Sequence, residues 1–424
     1  MEYKRYDIGP YNLHIINTDK FKTVSVKVNF KRQSKKEEIT KRNILSTLLL
    51  ESSKKYNTRR ELEIETEELY DLKLNSSNTI SGNYSIISYD MTFLNEKYTE
   101  KGYLEKSIKF LFELIFNPNV TNNEFDNETF NLCKNIIKDQ IETIKESPNY
   151  YASVRLYEEM EKDSPLSYRS VGYIEDLNKI TKKNLYNYYL SVLNKDLVDI
   201  FIIGEIDSEK IRKIITKSFS IDTIKKQSKS HILKYKTFRQ KIKTVKEKLD
   251  FEQSRLVIGC KLNNLTEFER KYVMGIYSYI LGGGPDSKLF KEVREKNSLC
   301  YSINSNYNGV FNTLKISAGI NAYNFDKAVK IIKEQIKNIS LGKFDERDIK
   351  CACMTYLNTF KEIMDNLNSI LSSYVSMEYL GLDSFEERQE KIKKVTRDMI
   401  INVSKKIILD TVYLLEGSYD QESN

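Results

Sequence analysis

The sequence repeats itself at a long interval, and this repeat restricts the possible folds more than any other feature. Residues 177–185 (LNKITKKNL) resemble residues 392–400 (IKKVTRDMI), 215 positions later. Each copy continues through a helical stretch into an apolar strand and a Gly-x-x-Asp ending, at Gly204 and again at Gly417. Two segments that keep nearly the same offset indicate a duplicated unit.

Both halves also begin with the same order of elements. A strand-like run, Val24–Phe30 or Arg255–Leu262, is followed by a helical stretch, 39–50 or 266–281. Alternating strands, several long helices and a closing strand come next in each half. The pattern predicts an α+β fold with two homologous domains, each a mainly antiparallel β-sheet packed with long helices.

A basic segment separates the two halves. Residues 225–248 hold ten Lys or Arg residues and one acid, Glu247, with little apolar periodicity at the start. Such a charge run is typical of a solvated connector, although contact with an acidic partner surface is an open alternative. We therefore predict a first domain over 1–224, a basic linker over 225–240 and a second domain over 241–424.

Composition argues against several classes of protein. The 424 residues, 40% of them hydrophobic, can build two cores without disulfides or a structural metal. The charged start has no apolar leader pattern, and no apolar run reaches the length of a membrane span. Five cysteines in no framework spacing suit a reducing compartment, so we expect a cytoplasmic protein. The pair Cys351 and Cys353 lies in a helix-like stretch, where the two side chains point apart, which favours plain thiols over a metal site.

Histidine is scarce, and its scarcity limits the chemistry. The chain has only His14 and His231. It therefore contains no H-x-x-E-H motif, no inverted version of it and no three-histidine zinc centre. The net charge of +8 is spread along the chain, so we expect no nucleic-acid partner.

The stretch 281–301 (LGGGPDSKLFKEVREKNSLCY) carries the clearest chemical signal. Three glycines end one helix, a turn at 285–287 starts the next, and that helix gives way to a strand near residue 299. The change from helix to strand can bring Arg294 and Tyr301 together. A guanidinium and a phenol at one place suit the binding of a peptide carbonyl or its oxyanion. The alternative is a solvent-facing helix residue and an ordinary strand tyrosine.

The glycines themselves allow three interpretations. Gly282, Gly283 and Gly284 before Ser287-Lys288 resemble a phosphate loop, but G-x-x-x-x-G-K-[ST] is not satisfied and the run follows a helix. Helix-end geometry and the close approach of a bound peptide remain as alternatives.

This stretch resembles the C-terminal domain of the pitrilysin/insulinase clan of zinc peptidases, most of all its mitochondrial-processing-peptidase-like bacterial branch. In that family an L-G-G-G-x-x-S-[RK]-L-F run continues to an Arg and a Tyr seven residues apart, which stabilise the scissile carbonyl. Arg294 and Tyr301 match in type and spacing. The resemblance covers essentially the whole chain and implies two homologous domains that form half of a peptidase clamshell.

The zinc motif of the family is missing. The resemblance places it within residues 40–53, where Asn43, Ser46 and Thr47 stand at the three functional positions. The third zinc ligand, a Glu, is expected near 138–140, where the sequence reads Lys-Asp-Gln. None of the three motif positions offers a zinc ligand of the usual kind, so we expect no metal in this chain.

The resemblance implies a division of labour between two chains. We expect this chain to be the subunit without zinc in a heterodimeric metallopeptidase, supplying Arg294 and Tyr301 in trans next to the zinc of a partner. The expected partner is a homologue with the zinc motif, or else a second copy of this chain, and the expected substrate is a peptide. The alternative is a catalytically inactive homologue that acts as a structural or peptide-binding assembly partner. No membrane partner is expected, and an RNA-associated role would depend only on the basic charge.

Overall fold

The computed structural model of the chain describes residues 1–219 and 230–418. The elements up to residue 219 are β1 Glu2–Asp7, β2 Tyr11–Asn17, β3 Thr23–Gln33, α1 Lys36–Leu48, α2 Arg59–Glu68, β4 Lys73–Ser81, β5 Tyr84–Leu94, α3 Tyr103–Phe116, β6 Val120–Thr121, β7 Glu124–Phe125, α4 Asn127–Glu142, α5 Pro148–Met160, α6 Ile174–Leu177, α7 Lys182–Lys195, β8 Leu197–Gly204 and α8 Ser208–Ser218. Short 3₁₀ turns cover Glu96–Tyr98 and Thr143–Glu146.

The elements after residue 230 are β9 Lys243–Lys248, β10 Ser254–Leu262, α9 Met274–Gly282, β11 Cys300–Asn308, β12 Thr313–Ile320, α10 Phe325–Ser340, α11 Glu346–Met364, α12 Leu367–Leu380, α13 Phe385–Ile392, α14 Arg397–Ser404 and β13 Ile407–Glu416. Two segments with π-helical hydrogen bonding, Glu269–Val273 and Phe290–Glu295, lie on either side of the glycine run, and a 3₁₀ turn covers Ala322–Asn324.

The described residues form two compact units, and each unit takes more than one stretch of the chain. The first contains described residues of 1–142, 168–230 and 364–376. The second contains described residues of 143–167, 231–363 and 377–424. The predicted division at 225–240 is continuous in sequence, whereas helix α5 belongs to the second unit and residues 364–376 to the first.

The sheet of the first unit has the strand order β1-β2-β8-β3-β5-β4. Strands β2 and β8 run parallel, and all other neighbours are antiparallel. The inner strands β3 and β8 are buried along almost their whole length. The nearly continuous apolar run of β8 fits this burial, whereas β3 alternates apolar residues with polar ones.

The sheet of the second unit has the same topology without the first strand. Its order is β11-β12-β10-β13-β9, with β9 and β13 parallel and the other neighbours antiparallel. Read from the opposite edge, this is the order β2-β8-β3-β5-β4 of the first unit. The prediction of two homologous α+β domains with mainly antiparallel sheets is therefore confirmed.

The apolar alternation from Tyr84 to Phe93 predicts strand structure over 78–94, and the structure has a hairpin there. Strand β4 ends at Ser81, and the chain turns at Gly82, whose φ is +57°, before β5 begins at Tyr84. A left-handed backbone at the turn suits glycine, which carries no Cβ. The amphipathic pattern of residues 58–72 predicts a helix, and the structure has α2 at Arg59–Glu68, which begins with a capping box between Thr58 and Glu61.

The basic segment between the halves lies only partly within the described residues. Positions 225–229 of the predicted linker fall outside them. From His231 to Ile363 the chain belongs to the second unit. There the Leu233 amide donates to the carbonyl oxygen of Val310 at 2.8 Å, and the Tyr235 hydroxyl donates to that of Phe311 at 2.7 Å. In the described part of the chain, no helix combines the length and the apolar character that crossing a membrane requires.

Candidate functional site

Helix α1 holds the three positions where the sequence places the degenerate zinc motif. Asn43 is buried, and its side-chain amide donates to the Val171 carbonyl at 3.1 Å and to the Gln140 side-chain oxygen at 3.4 Å. The hydroxyls of Ser46 and Thr47 donate to the Asn43 carbonyl at 2.8 and 3.5 Å. All three side chains are therefore bonded within the protein.

These side chains do not fit a zinc ion. Zinc in proteins prefers thiolate, imidazole and carboxylate ligands, whereas α1 offers an amide and two hydroxyls. Gln140 of α4, at the position expected for the third ligand, is also an amide and points toward Asn43. At these positions α1 and α4 contact each other through the hydrogen bond between Asn43 and Gln140.

A buried arginine fixes α1 on the sheet. The Arg42 guanidinium donates to Asp196 at 2.8 Å, to the Phe30 carbonyl at 2.7 Å and to the Ser85 carbonyl at 3.2 Å. Its partners come from the end of α7 and from β3 and β5. Since Arg42 is fully buried, its charge has to be paired, and these bonds hold α1 in a single orientation.

Arg294 and Tyr301 lie at the two ends of one turn in the second unit. Val293 and Leu299 are buried and anchor that turn, and the Leu299 amide donates to the Val293 carbonyl at 3.0 Å. Between them Ser298 takes a left-handed conformation with φ +52°. The turn therefore passes from helix to strand within a few residues, as the sequence predicts.

Both side chains of this pair are exposed. Arg294 lies in the π-helical segment, with its guanidinium carbon 4.7 Å from the centre of the Phe290 ring. Tyr301 is 67% exposed. Across the described residues, neither side chain has a hydrogen-bond or ion-pair partner, so both can donate to a bound molecule.

A bulge sets the direction of Tyr301. In β11, Cys300 pairs with Ile320 and Ser302 pairs with Gly319, and the register shifts between them, leaving Tyr301 unpaired. Such bulges redirect a side chain out of the regular alternation. Burial raises the pKa of the adjacent Cys300 thiol to about 11, and the positive charge of Arg294 opposes that rise. The charge of Arg294 therefore acts close to the start of β11.

The glycine run has a packing role at two of its three positions. A Cβ atom on Gly282 would lie 2.7 Å from the Ser305 backbone nitrogen, and one on Gly283 would lie 2.6 Å from the Tyr279 Cα. Gly284 is less confined, with the Tyr279 hydroxyl oxygen 3.4 Å away. Gly282 thus lets α9 approach β11. Peptide binding by these glycines stays a prediction.

Two features of the site were not predicted from the sequence. The Phe290 ring packs against the Arg294 guanidinium, and the spacing of four residues, which puts both side chains on one helix face, could have indicated this contact. The bulge at Tyr301 has no comparable signal, because its position depends on how β11 pairs with β12.

Comparison with known proteins gives consistent results. Residues 179–356 match the family described as the peptidase M16 inactive domain. The chain is 30% identical over 416 residues to the probable inactive metalloprotease YmfF of Bacillus subtilis. This alignment covers 97% of this chain and 96% of that protein. It is 23% identical over 288 residues to the non-peptidase homolog YmxG of Helicobacter pylori, covering 66% and 64% of the two chains.

A solved structure supports the fold. The crystal structure of a conserved protein from Enterococcus faecalis V583 superposes with a TM-score of 0.91 at 27% identity and covers 100% of both chains. Together with the 30% identity to a metalloprotease homologue over nearly the full length, this shows that the chain belongs to the M16 peptidase family.

Proposed function

We propose that this chain is the zinc-free subunit of a two-chain peptidase. In this proposal Arg294 and Tyr301 bind the carbonyl group of the peptide bond to be cleaved and stabilise the oxyanion that forms from it. The zinc, which activates water in hydrolases of this kind, would belong to a homologous partner subunit. The chain alone would then have no zinc peptidase activity.

The observation that carries this proposal is the exposure of two unpaired donors on one anchored turn. Tyr301 is exposed on a bulge, and Arg294 has no carboxylate partner among residues 1–219 and 230–418, so the two side chains contribute little to the stability of their own unit. A carbonyl oxygen has two lone pairs and can accept from both groups. The buried residues of the turn would keep the two donors in place before the substrate arrives, which is what transition-state stabilisation requires.

The side chains of α1 support the choice of partner. Asn43, Ser46 and Thr47 are bonded within the protein and offer none of the usual zinc ligands. A second copy of this chain would bring the same residues, so the proposed partner is a homologue that carries the H-x-x-E-H motif. All five cysteines are free, which suits a reducing compartment, and we place the complex in the cytoplasm.

Reconstitution with such a partner tests the proposal through Arg294. We expect peptide cleavage by the pair to need both chains and to fall by about 100-fold with Arg294→Gln, since one preorganised donor to the oxyanion is lost. The matched control is Lys296→Gln, which removes a positive charge from an exposed side chain on the same turn. Cleavage that needs this chain but proceeds equally fast with Arg294→Gln would reject the catalytic role.

A second candidate function has an observation in its favour. One relative of this chain is described as a probable inactive metalloprotease and another as a non-peptidase homolog. The chain would then be a structural or peptide-binding assembly partner without a part in chemistry. This candidate predicts that removal of the chain prevents assembly of the complex, while Arg294→Gln leaves both assembly and turnover unchanged.

A further inference from the structure

A small cavity in the second unit lies between the turn after the glycine run and the start of helix α11. Its volume is about 110 Å³. The polar side chains that matter for its chemistry are Tyr279, Asp286, Ser287, Lys291, Asp345 and Arg347. Arg294 and Tyr301 are not part of its lining.

One buried hydroxyl at this cavity is unsatisfied. Ser287 is 4% exposed, and its side-chain oxygen has no hydrogen-bond partner within residues 1–219 and 230–418. A buried polar group without a partner costs roughly 1–3 kcal/mol. A ligand that hydrogen-bonds with Ser287 would recover this free energy.

The remaining charges at the cavity favour a ligand with a carboxylate group. Asp286 lies 3.3 Å from Lys291, and Asp348 lies 2.8 Å from Lys288. Arg347, in contrast, has no ion-pair or hydrogen-bond partner among the residues that the structure describes. A guanidinium binds a carboxylate with two parallel hydrogen bonds, and the Ser287 hydroxyl is a further donor.

The cavity also offers an acceptor for a positive group. Asp345 accepts the backbone amide of Asp348 through one oxygen, at 3.1 Å, which leaves its second oxygen available. The lining includes three carboxylates against two cationic side chains. A phosphate dianion is therefore disfavoured, whereas a ligand that carries both charges matches both kinds of side chain.

We propose that this cavity binds the zwitterionic end of a small α-amino acid such as alanine. Its carboxylate would contact Arg347 and Ser287, and its ammonium group would contact Asp345. This site is separate from the proposed function, and either can hold without the other.

Calorimetric titration of the full chain with L-alanine tests the proposal. We expect L-alanine to bind. Acetate and methylammonium should each bind at least tenfold more weakly, because each lacks one of the two charges of the zwitterion. Inorganic phosphate should also bind at least tenfold more weakly, because its negative charge is too large for a lining with three carboxylates. Magnesium chloride alone should give no binding at this site.

Variants connect the binding to the named residues. Arg347→Gln and Ser287→Ala should each raise the Kd for L-alanine at least tenfold, whereas Lys350→Gln should leave it unchanged. Lys350 is exposed on the same helix and is not part of the lining. Arg347 is exposed as well, so Arg347→Gln should fold normally. The test therefore stands even if Ser287→Ala folds poorly.

Several results would overturn the proposal. They are no binding of L-alanine at tens of millimolar, equal binding by Arg347→Gln and the unchanged protein, a loss with Lys350→Gln as large as with Arg347→Gln, or tighter binding of phosphate or magnesium than of alanine.

Discussion

Asp199 carries a fully buried charge on strand β8 of the first unit. Lys31 lies 2.9 Å from one carboxylate oxygen, and the Asn12 amide donates to the other at 2.9 Å. The Nε2 atom of His14 is 3.6 Å away. Burial alone would raise the pKa of Asp199, but interaction with His14 and the charge of Lys31 outweigh it and hold that pKa well below its ordinary value.

The low pKa of Asp199 predicts how stability depends on pH. A carboxyl group whose pKa is lower in the folded state stabilises that state above its unfolded pKa of about 3.9, and this contribution is lost as pH falls. Asp199→Asn should therefore lower the free energy of unfolding by about 3 kcal/mol at pH 7. The difference from the unchanged protein should shrink below pH of about 4.

Urea denaturation at pH 7 and at pH 3 measures this effect. The control is Asp71→Asn, because Asp71 forms only an exposed ion pair with Lys73 and should change stability little at either pH. A difference between Asp199→Asn and the unchanged protein that stays constant with pH would contradict the assignment of a stabilising buried charge.

At the scale of elements, the contact between α9 and β11 depends on the absence of a side chain at Gly282. Gly282→Ala would place its Cβ 2.7 Å from the Ser305 backbone nitrogen, so helix and strand have to separate. We expect a loss of about 1–3 kcal/mol, as in overpacked cores. Gly284→Ala is the matched control, because its Cβ would make ordinary contacts with the Tyr279 side chain, the nearest atom being the hydroxyl oxygen at 3.4 Å.

The midpoint of chemical denaturation distinguishes the two glycine variants. Gly282→Ala should lower it clearly, and Gly284→Ala should lower it little or not at all. Equal midpoints for the two variants would mean that close packing does not explain Gly282.

The sequence predicts most of these elements because their signals are local. The repeat and the apolar runs predict β3, β10, α1 and their order in both halves. The hairpin turn at Gly82 was missed because the apolar alternation alone does not show where a strand reverses, although Gly82-Asn83 between two strand-like runs is a local turn signal. The π-helical segment that contains Arg294 could not be predicted from the periodicity of apolar residues either. It departs from a regular helix only by a shift of one residue in its hydrogen bonds.

At the scale of the whole molecule, the second unit depends on a helix from the first half of the sequence. Tyr151 of α5 donates to Glu247 at 2.6 Å, and Arg155 donates to the same carboxylate at 3.1 Å. Ser153 accepts from Lys315 of β12 at 2.9 Å. The side chain of Met160 packs where Gly259 of β10 leaves room. A sequence repeat cannot reveal this arrangement, because it depends on contacts between residues 92 to 162 positions apart.

The contacts of α5 predict how stable fragments of the chain are with and without this helix. Residues 231–424 alone should be poorly stable, because Glu247 loses Tyr151 and Arg155 and one face of the sheet loses its apolar cover. The same fragment with residues 143–167 joined through a flexible linker should unfold at a higher temperature. Thermal unfolding followed by circular dichroism compares the two, with a scrambled α5 segment as control. Equal stability of all three fragments would contradict this role of α5.

The chemistry of the site was predictable only in part. The types and spacing of Arg294 and Tyr301 can be read from the sequence, and so can the lack of zinc ligands at Asn43, Ser46 and Thr47. The hydrogen bond between Asn43 and Gln140 could not be predicted, since it joins two helices far apart in sequence. The cavity beside Arg347 was missed for the same reason, because α11 and the turn near Ser287 meet only in the folded chain.

The central claim, that Tyr301 takes part in catalysis in trans, is tested most directly by kinetics of the reconstituted pair with Tyr301→Phe. This change removes only the hydroxyl, so we expect kcat to fall by about 100-fold while KM and partner affinity stay nearly unchanged. The control is Tyr323→Phe, at another exposed tyrosine, which should leave kcat unchanged. An unchanged kcat with Tyr301→Phe in a pair that needs this chain for cleavage would contradict the claim.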